Sequence, residues 1–437
     1  SLRLHSEPNL GFIFSFMEDH PDAEIFLVGG AVRDSLLKRP TKDFDFVIRN
    51  LEPKKIESWF GELGTIELAG KDFGVYKFSP FGNHNEEPID IALPRTEQKT
   101  QDNQGGYRDF TVQSDPNLPI EDDLSRRDFT INAIAFDCRS AKIFDPFNGE
   151  KDLELGLIRA VGKPQDRLKE DFTRILRAIR FSSQLNFEIE ETTWKSLVKL
   201  APNVQKKRII DRKKVYIVSR EMLAKELAKA IYANPKNTIH LLREVNLLEL
   251  LFPNIPTDND YLKPIINAGI TDPTVILTLL LRALGPDEAK ALVKSLAFHT
   301  LPKNSFLHVD PEDVRWMLEQ IEDEKRLANS IDLPGSRFEL QFMNGRAEKY
   351  VPFLQALGKQ DVIEKALKRK QIILEQWNTD HVKHIPRLIS GDDILGLGVE
   401  AGPKIRELLN RIRDEQLEGK LMRREQALKF LKEEIAK

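Results

Sequence analysis

The tightest constraint on the fold of this 437-residue chain is a change of hydrophobic period near residue 150. Ahead of it come five short runs rich in apolar and β-branched residues: EIFLVGG (24–30), DFDFVI (43–48), VYKFSP (75–80), PIDIAL (88–93) and INAIAFD (131–137). Gly, Pro or Asp bounds each run, the pattern of short strands separated by turns. AVRDSLLK, between the first two, reads as a short helix opened by glycines and stopped before Pro40. Beyond 150 the strand-like runs stop. EDFTRILRAIRFSSQL, SREMLAKELAKAI, TIHLLREVNLLELLF and KIRELLNRIRDEQLEGK space their apolar residues as helices do. The expected class is therefore α+β: a small N-terminal head with a mixed β-sheet and helices, then an elongated all-helical neck, body and tail. Joints rich in Pro and Gly fall at 145–156, 252–260, 332–336 and 387–393. The expected domains are a head at 1–145, a neck at 146–215, a body at 216–330 and a tail at 331–437.

Composition narrows the setting. No apolar run approaches the roughly 20 residues that span a bilayer, so no membrane association is expected. The stretch SLRLHSEPNLGFIFSF lacks the basic start and small-residue cleavage site of a signal peptide. One cysteine, Cys138, rules out an internal disulfide framework or a cysteine-rich metal site. A cytoplasmic protein is expected. With a net charge of −3, affinity for nucleic acid must come from local patches. KKRIIDRKK (206–214), KALKRKQ (365–371) and KLMRREQALK (420–429) are candidates, each also readable as a solvated helix face.

Chemistry concentrates in LVGGAVRDSLLKRPTKDFDFVI (27–48). In a strand, residues i and i+2 share a face, so Asp43 and Asp45 project together while Phe44, Phe46 and Ile48 enter a core. Adjacent carboxylates repel unless a cation lies between them, and Mg²⁺ favours one or two carboxylates plus substrate phosphates. Taken alone, the pair also fits surface decoration. The preceding Gly29–Gly30 turn opens a helix, where backbone N–H groups can approach a phosphate, and Arg33 lies one turn in, placed for phosphate oxygens. Asp90, in PIDIAL, is a third candidate carboxylate or a strand-end aspartate facing water.

A second cluster is LSRRDFTINAIAF (124–136). Its Arg126, Arg127, Asp128 and Asn132 could hold phosphate and sugar hydroxyls, or cap the following element. In a helix over 170–181, Phe172, Ile175, Leu176 and Ile179 share one arc. Asp171, Arg174, Arg177 and Arg180 step along the other side, a solvated face or a set of donors and acceptors suited to a nucleobase edge.

In this order, LVGGAVRDSLL…KDFDFVI, IDIALPRTE, DLSRRDFTINAIAFD, DPFNGEKDLELGLIRAVG and RLKEDFTRILRAIRF resemble the class II tRNA nucleotidyltransferases, the CCA-adding enzymes that share a superfamily with bacterial poly(A) polymerases. Residues 386–428 resemble that family's tail. The resemblance implies that Asp43 and Asp45 hold catalytic Mg²⁺ and that Gly29, Gly30 and Arg33 bind the triphosphate. It also implies that Arg127 and Asp128 contact phosphate and ribose. Asp171 and Arg174 would read the incoming base, with Arg177 and Arg180 supporting that site, and Asp90 would be a third catalytic carboxylate. The expected reaction is two-metal in-line transfer adding CCA to a tRNA 3′ end from CTP and ATP. A monomer holding the acceptor arm and elbow is expected.

Within the superfamily, LAGKDFGVYKFS (68–79) is closer to the tRNA-specific branch than to poly(A) polymerases. The long polar segment 95–119 suits a mobile loop and favours full CCA addition over CC-only or A-only addition. Two positions depart from the family pattern. Met222 stands where an arginine is usual between Glu221 and Glu226, and Lys38 stands where a glycine is usual.

Overall fold

The computed structural model describes residues 10–436 apart from 42, 70–73, 83–87, 100–103, 107–109, 211, 322–332 and 381–383. The chain divides into two compact units, one of 1–233 with 237–251 and one of 234–236 with 252–437.

The first unit is built on a seven-stranded sheet in the order β3-β4-β5-β2-β1-β8-β9. Its strands are β1 (Glu24–Val28), β2 (Asp45–Arg49), β3 (Gly64–Leu68), β4 (Val75–Pro80), β5 (Ile89–Ala92), β8 (Ala135–Asp137) and β9 (Lys142–Phe144). Only β2 and β5 pair in parallel, so this is the mixed sheet expected. Phe26, Val28 and Val47 pack with Ile120 and Leu124 of helix Ile120–Ser125 and with Val161. Phe12, Phe16, Phe60 and Phe78 form a second aromatic core, with ring centroids 4.9–5.7 Å apart.

Helices follow, with differences from the sequence reading. The helix read over 170–181 is interrupted. α1 (Pro164–Glu170) ends before Asp171, whose backbone is extended, and α2 (Thr173–Leu185) begins anew. The apolar arc ran through the break because Ile175, Leu176 and Ile179 are buried as it requires. Strands also persist past 150, as the pairs β10 (Leu157–Ile158) with β11 (Glu188–Ile189) and β12 (Lys207–Ile210) with β13 (Lys213–Tyr216). The 206–214 stretch is thus a hairpin, not a helix face. INAIAFD divides between a 3₁₀ turn (Thr130–Asn132) and β8. Part of the expected mobile segment 95–119 forms an antiparallel ribbon, β6 (Arg95–Lys99) with β7 (Phe110–Ser114); residues 100–103 and 107–109 lie outside the described set, as do 70–73 of LAGKDFGVYKFS. Lys38 takes a left-handed conformation, φ 56°, which favours glycine.

In the second unit the described elements are helical. Its C-terminal core joins Leu388, Ile394, Leu408, Ile412 and Leu431. No helix of the described residues is long and apolar enough to cross a membrane.

Candidate active site

β2 lies between β1 and β5, with Val28 opposite Asp45 and Asp45 beside Asp90. Asp45 therefore stands where β1 ends and the chain turns through Gly29 into the helix Gly30–Leu36. Gly29 has φ 70° and ψ −136°. A Cβ there would meet Arg127 Nη1 at 3.1 Å and Asp45 Oδ2 at 3.3 Å, so both conformation and space call for glycine. Gly30 has more room, its nearest neighbour being Arg33 Nη2 at 3.6 Å. The strand begins at Asp45, so Asp43 sits in the exposed coil before it rather than on the strand.

A cavity of about 670 Å³ gathers most of the expected residues. Asp43, Asp45, Gly29, Gly30 and Arg33 line it, as do Arg127, Asp128, Asn132, Asp171, Arg174, Arg177 and Arg180. Asp90 does not. It shares a recess of about 130 Å³ with Asp45 and is held by Lys77, whose Nζ lies 2.5 Å from Asp90 Oδ1. Eight cationic side chains line the larger cavity against four carboxylates, a balance that favours a polyanionic ligand.

Burial and the neighbouring Asp43 charge push the Asp45 carboxyl up to about 6, against the opposing pull of Arg127. Such a pair is poorly stable as a dianion and gains from a cation. Among the described residues no cluster of three or more His, Cys, Asp or Glu could hold a metal. Two protein carboxylates with further positions left to substrate oxygens or water fit a hard divalent ion.

The arginines are held from behind. Arg33 donates from Nη1 to Asn132 Oδ1 at 2.7 Å and from Nε to Asp34 Oδ1 at 2.8 Å. Arg126 and Arg127 share the fully buried Asp123, Arg126 Nη2 at 2.6 Å and Arg127 Nη2 at 3.1 Å. Burial pushes the Asp123 carboxyl up, but the two guanidinium charges prevail and lower it. Asp128 accepts from Arg177 Nε at 2.6 Å, Asn132 Nδ2 at 3.1 Å and the Phe129 amide at 2.8 Å. Burial opposes its ionisation, yet the Arg177 charge and the Asn132 hydrogen bond hold it at about 2.

Across the cavity, Asp171 caps the start of α2 by accepting from the Thr173 amide at 2.8 Å. Burial raises its carboxyl despite that bond and Arg174. Arg174 is buried rather than solvated. It donates to Glu170 Oε2 at 2.9 Å, to the Arg167 carbonyl at 2.9 Å and to the Arg126 carbonyl at 3.1 Å. Arg180 pairs with Glu226 at 2.5 Å and lies 3.9 Å from the centre of the Phe181 ring. Glu226, Met222 and Lys229 come from α3 (Arg220–Ala233), and the last two line the cavity. The sequence reading missed Lys229 and Phe181. Lys229 lies three residues past Glu226, which the family pattern did mark, so helical spacing pointed to it.

Residues 25–159 match the model of the Poly A polymerase head domain family. A Multifunctional CCA protein of Xylella fastidiosa is 36% identical over 255 residues, covering 56% of this chain and 55% of that protein. The chain thus matches about half the length of that curated relative. The CCA-adding enzyme of Bacillus stearothermophilus in complex with CTP superposes with a TM-score of 0.70 at 23% identity, over 97% of this chain and 96% of the other. The Thermotoga maritima CCA-adding enzyme complexed with tRNA gives 0.63 at 22% identity, over 99% and 97%. At these identities the two superpositions establish the fold.

Proposed function

We infer that this chain, whose residues 25–159 match the Poly A polymerase head domain family and whose fold is that of CCA-adding enzymes, adds CCA to the 3′ end of tRNA from CTP and ATP. The observation that carries this reading is one cavity joining the Asp43–Asp45 pair to an arginine-rich wall that includes Asp171 and Arg174. The likeness to a Multifunctional CCA protein and to the fold of a CCA-adding enzyme complexed with tRNA supports tRNA as the substrate.

Asp43 and Asp45 are the residues to hold Mg²⁺, the hard divalent ion their donor set suits. Bound there, two such ions supply activation of the 3′-hydroxyl and charge stabilisation on the α-phosphate and leaving pyrophosphate. The remaining work is positioning and electrostatics. Arg33 and the Gly29–Gly30 backbone take the triphosphate. Arg127, Asp128 and Asn132 face phosphate and ribose, with Asp128 ionised at neutral pH where it lines the cavity. Asp171 and Arg174 present an acceptor and a donor to the base, and Arg177 and Arg180 back them. Asp90 belongs to this assignment as a third carboxylate acting beside Asp45, in competition with its Lys77 pair. A monomer working in the cytoplasm on the acceptor arm and elbow of tRNA completes the reading.

The test is an incorporation matrix. tRNA transcripts ending before C74, after C74 and after C75 are each incubated with Mg²⁺ and one NTP at a time. CTP on the first two and ATP on the third is the expected result. ATP alone on the third marks an A-adding enzyme, and ATP runs on any RNA mark a poly(A) polymerase. Asp43 is exposed, so Asp43→Ala should keep the circular dichroism and melting of the parent while losing incorporation; normal turnover by that variant removes the metal assignment.

A further inference from the structure

The hairpin β12–β13 lies outside the cavity, and nothing in the proposed reaction uses it. KKRIIDRKK (206–214) carries six cations and one acid in a chain of net charge −3. Its register sets each strand cation opposite an uncharged residue: Lys207 with Tyr216, Arg208 with Val215, Lys214 with Ile209 and Lys213 with Ile210. Like charges directly across a ladder would destabilise it, and this register avoids them. Charge therefore appears on both faces of the ribbon. Lys207, Arg212, Lys213 and Lys214 are exposed, and Ile209 is 71% exposed near the tip.

The base of the hairpin is fixed. Lys207 Nζ lies 4.4 Å from the Tyr216 ring centre, and the Arg220 guanidinium lies 3.3 Å from the same ring. Arg220 Nη2 donates to Gln205 Oε1 at 2.7 Å, and the Ile217 amide donates to the Lys206 carbonyl at 2.9 Å. Arg220 starts α3, and Met222, two residues on, lines the cavity. A polyanion with its end in the cavity is thus within reach of a cationic ribbon anchored at the cavity's edge.

We propose that this hairpin is an RNA-binding arm that grips the sugar–phosphate backbone of the acceptor stem feeding the cavity, an assignment that rests on the tRNA reading above. The exposed Arg212, Lys213 and Lys214 exchange water and counterions for phosphates. The isoleucines near the tip suit the shallow minor groove of an A-form helix, where riboses rather than base identities are met. Binding through the arm is therefore independent of stem sequence. An acidic protein would satisfy the same charge, but it would not explain why the arm is rooted beside the cavity.

The test compares the full chain with the variant Arg212→Asn, Lys213→Gln, Lys214→Gln, which keeps the Lys207–Tyr216–Arg220 stack. Asn tolerates the left-handed backbone at 212 (φ 64°). Affinity for a tRNA transcript lacking CCA is measured without NTP from 50 to 200 mM salt, and KM and kcat are measured separately. Three fewer phosphate contacts should flatten the slope of log K against log salt by about 2.1–2.7, so the parent loses roughly 20- to 40-fold more affinity across that range than the variant. KM for tRNA should rise while kcat at saturating tRNA holds. Lys213→Gln alone should flatten the slope by about 0.7–0.9 and guards against a triple variant that misfolds. Unchanged affinity and slope in a variant that still incorporates NTP overturns the arm. A parent that binds tRNA but incorporates no NTP overturns the enzyme reading instead, and the salt slopes still decide the arm.

Discussion

Gly29→Ala and Gly30→Ala, one residue apart, should have opposite consequences. Gly29 combines φ 70° with ψ −136°, a region that residues with a Cβ rarely enter and that costs about 1–3 kcal/mol. The added Cβ would also sit 3.1 Å from Arg127 Nη1 and 3.3 Å from Asp45 Oδ2. Relief requires moving the Asp45 carboxylate, the Arg127 guanidinium or the turn itself. Gly30 is a helical residue whose nearest contact, 3.6 Å, is ordinary. Alanine in a helix is favoured over glycine by about 0.5–1 kcal/mol. Urea unfolding followed by circular dichroism should therefore place Gly29→Ala about 1–3 kcal/mol below the parent, a roughly 5- to 150-fold change in the unfolding constant. Gly30→Ala should match or exceed the parent. Incorporation at saturating tRNA should fall by about tenfold or more for Gly29→Ala, since displacements well under 1 Å at reacting groups are costly, and hold for Gly30→Ala. Equal stability and equal turnover in the two variants would refute the claim that turn geometry positions Asp45.

Two further outcomes follow from buried charge. Glu226→Gln strands the Arg180 guanidinium, which is buried with its partner, and should destabilise the first unit by about 3–5 kcal/mol, read as a lower urea midpoint. Asp128 is held at about 2, below its unfolded value, so its contribution is fully present above roughly pH 4 and fades as pH falls towards 2. That contribution is on the order of 2 kcal/mol. Asp128→Asn should remove this share of the acid-limb slope in pH-dependent unfolding, and an unchanged slope would place the acid sensitivity elsewhere.

The head was legible because its strands are short apolar runs closed by Gly, Pro or Asp, and β4 follows VYKFSP residue for residue. The acids and arginines of the cavity were legible as types in order. What holds them was not: Arg177 reaches Asp128 across 49 residues, and Arg180 reaches Glu226 across 46. No local period encodes such pairs. The break at Asp171 escaped because the buried residues on either side keep one helical phase. The hairpin at 207–216 escaped because dense charge reads as solvated surface, whereas here it alternates across a ladder with Ile, Val and Tyr.

The anions behind the cavity arginines bear on how such a site can change over generations. Arg174 with Glu170, Arg180 with Glu226, and Arg126 and Arg127 with Asp123 stand as ion-paired groups. Asp123 and Glu170 each keep a second arginine when one is lost, but at Arg180 and Glu226 losing the guanidinium alone leaves a buried carboxylate and losing the acid alone leaves a buried cation, so either single step passes through a weakened protein. Paired replacement avoids that valley. This corner of the wall is thus free to be rebuilt only as a couple, and among descendants of this chain Glu226 should stay fixed for as long as Arg180 does.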